Sequence, residues 1–412
     1  MEQLEFFDNG SFAIKDANYK GSEDEIVLTS NVVKDEYTQY IQDCFDLQVR
    51  DVSRVCIPNR LDLSSLCDWN IGVICGASGS GKSTILKHLQ MQSGGCVSAP
   101  TFDNSKCLIS NFDNMTPQEA SMLLSQMGLA SIPTWIRPYN VLSNGEQYRA
   151  MLAKQVSLSE GDDIIYIDEY TSVVDRNVAK SMSNALQKYI RKNSKRIVLC
   201  TCHYDILDWL RPDWIYDLNK GGVLERGDYL RQSRPQIELQ VYRTTSYIWE
   251  RFKKHHYMTQ EMNMSAYCFC FEWNNTLVGF CSVLPNPGKG IHNGVRLSRL
   301  VVLPDFQGLG IGRRICDFIS SIYKNSGYTM YIKTVNPSLG EYMSKSDNYS
   351  PTAHNGKQRE VQHNKRFRRL LTRSSYCFKY VGRGTSGYED LVLNMDDIKG
   401  LKRTRRQITF DF

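Results

Sequence analysis

Long apolar runs are missing from this 412-residue sequence, and no stretch approaches the length of about eighteen residues that a membrane-spanning helix needs. The first ten residues, MEQLEFFDNG, are acidic and lack the basic start and apolar core of a secretory leader. These absences argue against a membrane-embedded or secreted chain. We therefore expect a cytoplasmic protein with no membrane partner.

Paired cysteine motifs are also missing. None of the 13 cysteines forms a CxxC pair, and the nearest approaches, Cys200 with Cys202 and Cys268 with Cys270, lie in apolar, strand-like runs. Zinc ligands usually come at spacings of about two to four residues in loops. The distribution therefore favours reduced core thiols over a metal site.

The composition is that of a folded globular protein, with 41% hydrophobic and 23% charged residues, and the length predicts two or three domains. The net charge of +6 is uneven, since residues 1–50 carry −7 and the remainder +13. The basic excess lies late, in NKRFRRLLTR (364–373) and LKRTRR (401–406). Such clusters are compatible with contacts to nucleic-acid phosphates, with a solvated face or with a pocket for a polyphosphate cofactor, and these alternatives stay open.

The most specific motif is GASGSGKST (76–84), which follows the apolar run IGVIC and precedes a segment of helical periodicity. A strand, a glycine loop and a helix in this order bind phosphate, because glycines let backbone amides converge on phosphate oxygens at a helix N-terminus. Lys82 is expected to reach the β and γ phosphates, and Ser83 to ligate Mg²⁺. The predicted ATP-binding residues are Gly76, Ser78, Gly79, Gly81, Lys82, Ser83 and Thr84.

A second acidic element complements this loop. The apolar strand in DDIIYIDEY (162–170) ends in two carboxylates, Asp168 and Glu169. We expect Asp168 to hold the metal with Ser83, and Glu169 to polarise the attacking water as the catalytic base. An apolar strand that ends in Asp-Glu is often only an exposed strand end, but together with Lys82 it predicts a hydrolase centre.

Further stretches resemble the ABC-type ATPases. LSNGEQYRA (142–150) resembles the family's signature sequence, SVVD (172–175) its D-loop, and TCHYD (201–205) ends an apolar run in a histidine typical of the switch region. The resemblance covers most of residues 1–230. It implies a catalytic His203 and, in the nucleotide site, the residues Ser143, Asn144, Gly145, Glu146 and Asp175.

In that family two nucleotide domains meet head to tail, so the resemblance implies an ATP-dependent homodimer, or a dimer with a related chain. Residues 143–146 of one subunit would close on the γ-phosphate held by the other. Sixty residues separate Lys82 from Leu142, fewer than is usual in transporter ATPases. This disfavours transport. Gln118 and Gln126 are weak candidates for the family's glutamine switch loop.

A second glycine loop occurs in LVVLPDFQGLGIGRR (300–314). Its third glycine comes one place early for a dinucleotide-binding fingerprint, and no acidic residue closes a second strand at the expected distance. The loop instead resembles the acyl-CoA loop of the GNAT superfamily of N-acetyltransferases. Backbone amides at a helix N-terminus would there bind a pyrophosphate. The implied acyl-CoA residues are Val301, Val302, Gln307, Gly308, Leu309, Gly310, Ile311, Gly312 and Arg313.

The surrounding segments match the order of elements in a GNAT fold over about residues 236–392: the run IELQVYR, a helical SYIWERFKKHHYM, a hairpin with Asn274 and Asn275 at its turn, the loop, and the strands TMYIKTVN and YCFKYVG. We therefore predict an α/β chain in which a P-loop ABC-type ATPase domain (1–230, with acidic N-terminal strands in 1–50) precedes a GNAT α+β acyltransferase domain (231–412, with basic C-terminal segments). The combination resembles a prokaryotic and phage family of ATPase–acetyltransferase fusions. The second half also resembles the phage Mom enzyme, which modifies DNA adenines.

Acyl transfer needs a base for the acceptor amine, strand amides near Val301 and Val302 for the thioester carbonyl, and often a tyrosine that protonates the leaving thiolate. Tyr342 lies near the position that the resemblance implies for this acid, and Tyr376 and Tyr380 are alternatives. His256 is a candidate base, but packing of a helix end explains it equally well.

The polar segment 340–362 precedes the arginine-rich cluster, and we interpret it as either an acceptor-binding lid or a mobile insertion.

The favoured function is an ATP-controlled N-acyltransferase that uses ATP, Mg²⁺ and acetyl-CoA or another acyl-CoA. Its expected acceptor is an amine of DNA or RNA, as in phage DNA modification or anti-restriction. The alternatives are a transferase for protein or small-molecule amines, and a non-catalytic GNAT module on a DNA-repair-like ATPase.

Overall fold

The computed structural model describes residues 25–45, 51–93, 100–161, 163–226, 235–256, 261–287, 293–360, 372–392 and 406–410. The chain forms an N-terminal half (25–226) and a C-terminal half (235–410), each built around its own sheet. Within these ranges, no helix combines the length and the apolar character that spanning a bilayer requires. The predicted boundary at residue 230 and most of both basic clusters lie outside the described residues.

The N-terminal half alternates strands and helices. Its strands are β1 (Glu25–Asn31), β2 (Val52–Pro58), β3 (Ile71–Cys75), β4 (Ile164–Ile167), β5 (Arg196–Thr201), β6 (Trp214–Asp217) and β7 (Val223–Arg226). Its helices are α1 (Glu36–Phe45), α2 (Lys82–Ser93), α3 (Pro117–Gln126), α4 (Ile132–Trp135), α5 (Asn144–Leu158), α6 (Arg176–Lys192) and α7 (Leu207–Leu210).

The main sheet of this half has the order β4-β5-β3-β6-β7, with β4, β5, β3 and β6 parallel and β7 antiparallel at the edge. Every residue of β3 and β4 is buried, as expected for parallel strands covered on both faces. Ile71 and Val73 contribute to the core beneath α3, α5 and α6, whereas Ile74 contributes to the core shared with α2 and the β1-β2 pair. The carboxyl ends of β3, β4 and β5 therefore meet at one sheet edge.

The C-terminal half is built on a larger mixed sheet. Its strands are β8 (Ile237–Thr244), β9 (Tyr267–Trp273), β10 (Thr276–Pro285), β11 (Gly294–Val302), β12 (Thr329–Thr334), β13 (Tyr349–Pro351), β14 (Gln358–Glu360), β15 (Thr372–Ser374), β16 (Tyr376–Tyr380) and β17 (Arg406–Phe410). Its helices are α8 (Ile311–Asn325) and α9 (Pro337–Lys345).

Eight strands of this half form one sheet with the order β13-β16-β12-β11-β10-β9-β8-β17, while β14 and β15 pair separately. The β11-β12 pair is parallel and its neighbours are antiparallel. The α8 helix packs its buried face, including Ile315 and Ile319, onto this sheet. The Asn274-Asn275 turn between β9 and β10 was predicted, and both residues have positive φ (47° and 61°), as a tight hairpin requires.

Three sequence-based expectations differ in part from the structure. The SYIWERFKKHHYM segment forms short 3-10 turns at Ser246–Arg251 and Lys253–His255 instead of a regular helix, and residues 257–258 lie outside the described residues. The segment 340–362 is not an irregular insertion, because residues 340–360 contain most of α9 together with β13 and β14, and its interpretation as an acceptor-binding lid stays a prediction. Within residues 1–50, the described part forms α1 as well as the expected strand β1.

The prediction of reduced core thiols is partly confirmed. Cys200, Cys268 and Cys270 are buried thiols, whereas Cys202 is exposed. Burial raises the pKa of Cys268 to about 11, so this thiol stays protonated at neutral pH.

Candidate functional site

The first phosphate loop is built as the sequence predicts. It leaves the carboxyl end of β3, and α2 begins at Lys82. Gly79 and Gly81 have φ values of 78° and 96°, which side chains rarely adopt. At Gly76, an added Cβ would lie 2.5 Å from Ser80 Oγ. The conformation of this loop therefore needs glycine at these positions.

Lys82 lies over this loop. Its Nζ donates hydrogen bonds to the carbonyl oxygens of Gly76 (2.9 Å) and Ala77 (2.7 Å). The ammonium is thus held above the amides where the phosphates of a nucleotide would bind.

The two predicted carboxylates lie directly after β4, at the same sheet edge as the loop. The Glu169 amide donates to Asp168 Oδ1 (2.9 Å), and Glu169 has a positive φ of 49°. A hydroxyl from Ser83 and a carboxylate from Asp168 are oxygen ligands of the kind Mg²⁺ prefers. The described residues contain no cluster of three or more metal-ligating His, Cys, Asp or Glu side chains, so such an ion would also need oxygen ligands from the nucleotide or water.

His203 follows β5 and lies next to this turn. Its Nδ1 is 3.1 Å from Thr171 Oγ1. Burial, followed by the Arg176 guanidinium, lowers the pKa of His203 below its ordinary value. The imidazole is therefore neutral at pH 7 and available for hydrogen bonding to a phosphate or water.

The signature and D-loop residues cap helices, a role that the sequence reasoning missed. Ser143 caps α5 in a capping box, in which Glu146 accepts from the Ser143 amide (3.0 Å) and hydroxyl (2.9 Å). Thr134 donates to the same carboxylate. Burial opposes ionisation of Glu146, but these hydrogen bonds outweigh it and lower its pKa. Asp175 caps α6 through the amides of residues 177 and 178.

Contacts of these residues with a nucleotide across a dimer stay predictions. Asn144 and Gly145 form the first residues of α5, beside the Ser143 cap. The weak switch-loop candidate Gln126 lies elsewhere, in the wall of the second cleft described next. It therefore does not fit a role at the P-loop.

The second candidate site is a cleft between two diverging strands. β11 and β12 pair only over Gly294–Arg296 and Thr329–Tyr331, so their carboxyl-terminal portions separate. The resulting cleft has a volume of about 520 Å³. Its described lining includes most of the residues predicted for acyl-CoA: Val301, Val302, Gln307, Gly308, Gly310, Ile311, Gly312 and Arg313.

The second glycine loop closes one end of this cleft. Gly308 and Gly310 have positive φ values of 90° and 79°, and Gly310 is the N-cap of α8 without a side-chain cap. The first amides of α8 therefore receive no side-chain cap and would be available to a ligand bound in the cleft. Leu309 can serve the predicted site only through its backbone amide, and that contact stays a prediction. Its side chain is fully buried in the core, so it anchors the loop instead of facing the cleft.

The candidate acid Tyr342 lines the cleft, but its hydroxyl donates to the Asp317 carboxylate. Asp317 accepts a second hydrogen bond from Tyr349 (2.6 Å). Burial, reinforced by Asp317, raises the pKa of Tyr342, which keeps the phenol protonated. The alternatives are engaged elsewhere: Tyr380 donates to the Arg383 carbonyl (3.0 Å), and the Tyr376 ring packs on Gly340.

The candidate base His256 is buried and also lines the cleft. Its ring lies 5.4 Å from the Trp249 ring in an edge-to-face arrangement. His255 lines the cleft beside it, and burial lowers the pKa of His255, which favours the neutral, proton-accepting form. The sequence singled out one of two adjacent histidines, whereas the structure brings both to the site.

The charge of the cleft is strongly positive. Of its described lining residues one carries a carboxylate, Glu341, and six carry lysine or arginine cations: Lys188, Lys192, Arg299, Arg313, Lys333 and Lys345. Such an excess favours a polyanionic ligand. Two of these lysines belong to α6 of the N-terminal half, a contribution that the sequence reasoning missed.

Residues 205–342 match the family model of the GNAT acetyltransferases. The match begins before β6 and ends inside α9, and so contains the diverging strands, the second glycine loop and Tyr342. The α/β fold class is confirmed: a half with a mainly parallel sheet precedes a half with a mixed sheet, and the GNAT family model matches residues 205–342. No curated protein matches the chain.

Solved structures of both kinds resemble the chain. A dimeric bacterial ABC transporter cassette has a TM-score of 0.32 and 16% identity, over 42% of this chain and 92% of its own. The cbiO1 component of the Clostridium perfringens transporter complex cbiONQ has a TM-score of 0.31 and 16% identity, over 43% and 81%. A Bacillus subtilis acetyltransferase in complex with CoA has a TM-score of 0.26 and 15% identity, over 34% and 97%.

Proposed function

We propose that this protein is an acyl-CoA-dependent N-acyltransferase joined to an ATP-hydrolysing domain, acting in the cytoplasm. The observation that carries the proposal is the cleft between β11 and β12, closed by the amides of the second glycine loop and lined by an excess of cations. Acyl-CoA is a long thioester that carries a pyrophosphate, so its length and its negative charge suit such a cleft.

Acyl-CoA would supply the activated acyl group. The amides of residues 308–312 at the start of α8 bind the pyrophosphate, and the β11 backbone at Val301 and Val302 holds the thioester carbonyl. The acceptor nitrogen attacks this carbonyl, the C–S bond breaks, and the amine proton passes to a base. His256, with His255 beside it, is the candidate base because both line the cleft. Tyr342 is the candidate acid for the thiolate because it lines the cleft, and its hydroxyl would have to turn from Asp317 to the sulfur to donate its proton.

A glycine substitution tests the transferase. Gly310→Leu places a bulky residue at a φ of 79° where α8 begins, so we expect loss of acyl-CoA consumption. Gly327→Ala is the matched control, since Gly327 also has a positive φ (81°) but no atom within 4 Å of an added Cβ. Unchanged turnover in Gly310→Leu would remove the cleft from the reaction.

The N-terminal half is proposed to bind ATP and Mg²⁺ and to dimerise when ATP is bound. The support is the P-loop, the Asp168-Glu169 turn and His203 at one sheet edge. Glu169→Gln should bind ATP but hydrolyse it far more slowly, and should accumulate as a dimer in light scattering with ATP. Hydrolysis at the wild-type rate would exclude Glu169 as the base.

The proposed acceptor is an amine of DNA or RNA, as in modification of phage DNA bases. Its support is the basic sequence of the C-terminal region, especially residues 364–373. We expect nucleic-acid binding that weakens steeply between low and moderate salt, by orders of magnitude for about six phosphate contacts. Lack of DNA and RNA binding at low salt would instead favour a protein or small-molecule acceptor.

A further inference from the structure

The two halves of the chain meet at the second glycine loop. The Gln307 side chain accepts from the Ala130 amide (2.7 Å) and donates to the Val302 carbonyl (2.9 Å). Asn184 on α6 donates to the Gly308 carbonyl (3.0 Å). The loop expected to bind a pyrophosphate is therefore positioned by residues from both halves.

The contact between α6 and this loop is close. An added Cβ at Gly308 would lie 3.0 Å from Ala185 Cβ and 3.1 Å from the Ser181 carbonyl oxygen. Ser181 also donates to the Asp305 carbonyl (3.0 Å). α6 thus lies directly against the end of the cleft where the glycine loop begins.

Beyond Ala185, α6 continues along the cleft wall. Lys188 and Lys192 are four residues apart and both line the cleft, with Tyr189 beside them. Residues four apart share a helix face. With a rise of about 1.5 Å per residue, Lys188 is roughly 4.5 Å and Lys192 roughly 10 Å farther along the axis than Ala185. The two ammonium groups therefore follow the glycine loop along the same wall.

We propose that α6 of the N-terminal half binds the phosphates of acyl-CoA through Lys188 and Lys192. The transferase site would then be incomplete without the ATPase half. This inference rests on the proposed acyl-CoA function and names further binding residues for the same cleft. Lysine ammonium groups suit phosphates of a ligand that is partly exposed, because they donate several hydrogen bonds from a flexible stem.

The test measures CoA binding to the full-length protein by calorimetry. Lys188→Gln and Lys192→Gln should each weaken binding on the order of tenfold, because each removes a charge-assisted contact. The corresponding arginine variants should bind within about threefold of wild type, since they retain the charge. Lys180→Gln is the matched control: it removes a lysine from α6 that is not among the cleft residues, and a change below about twofold is expected. Thermal unfolding checks that every variant is folded.

The possible results separate the two proposals. If the wild type binds CoA and the glutamine variants bind it equally well, the role of α6 is overturned while the acyl-CoA function stands. If arginine fails to restore affinity, the lysines act through packing and the phosphate contact is wrong. If folded wild-type protein does not bind CoA, both proposals fail.

Discussion

At the scale of single residues, glycines and a histidine connect local geometry to chemistry. Gly308 has a positive φ and also touches α6, so it serves both the loop conformation and the contact between the halves. His203 links the carboxylate turn to β5. A substitution at each of these residues tests its role.

Gly308→Val should strongly weaken CoA binding. The branched side chain would need a backbone conformation that it rarely adopts, and its Cβ would lie 3.0 Å from Ala185 Cβ. Titration calorimetry with CoA measures the effect. Gly327→Ala should cost only about 1 kcal/mol of stability and leave CoA affinity intact, because only the backbone strain applies there. Normal CoA binding by Gly308→Val would show that the loop can open away from α6 at little cost.

His203 predicts a pH dependence for ATP hydrolysis. Because burial lowers its pKa, the neutral form persists at pH 7, and protonation sets in at a lower pH than for a free imidazole. The hydrolysis rate should therefore be level from about pH 8 to pH 7 and decline under more acidic conditions. Steady-state rates across this range provide the measurement, with His203→Gln expected to be slow and nearly insensitive to this titration. A decline that starts above pH 7 would contradict the lowered pKa.

At the scale of elements, α5 joins the two halves through Arg149. This side chain is fully buried, donates to the Pro304 carbonyl (3.0 Å) and lies 4.0 Å from the Asp305 carboxylate. Burial lowers the pKa of Arg149, and Asp305 partly offsets this. The helix that starts at the Ser143 cap thus reaches the segment just before the second glycine loop.

Arg149→Ala should destabilise the protein by about 2–4 kcal/mol, because it leaves a cavity at a fully buried position and removes the donor to the Pro304 carbonyl. Denaturant unfolding followed by tryptophan fluorescence measures this loss. Arg137→Ala, at an exposed position, should change the free energy of unfolding by less than about 0.5 kcal/mol. Equal stabilities of the two variants would mean that the contact between the halves contributes little.

The elements also show what the sequence alone can predict. The P-loop, the Asn274-Asn275 hairpin and the second glycine loop depend on neighbouring residues, and all three were predicted. The contribution of Lys188 and Lys192 depends on how two sheets pack, so periodicity within α6 could not reveal it. For a related reason the burial of the Leu309 side chain could not be predicted, since a motif identifies a loop but not which of its side chains turns into the core.

At the scale of the whole molecule, α6 connects the two ligand sites. It begins at the Asp175 cap, shortly after the carboxylate turn, and reaches the cleft at Lys192. α5 makes a second connection through Arg149. Any rearrangement of α5 and α6 on nucleotide binding would therefore alter the position of the second glycine loop.

This connection predicts reciprocal coupling between nucleotide and CoA. A non-hydrolysable ATP analogue with Mg²⁺ should change the dissociation constant of CoA by about five- to a hundredfold, and CoA should change that of the analogue by the same factor, as thermodynamic linkage requires. Calorimetry in both orders measures the two factors. Because Arg149→Ala removes one of the two connections, it should reduce both factors together while leaving the P-loop residues unchanged. If each ligand binds with the same affinity in the presence and absence of the other, the two sites are connected by α5 and α6 but are energetically independent.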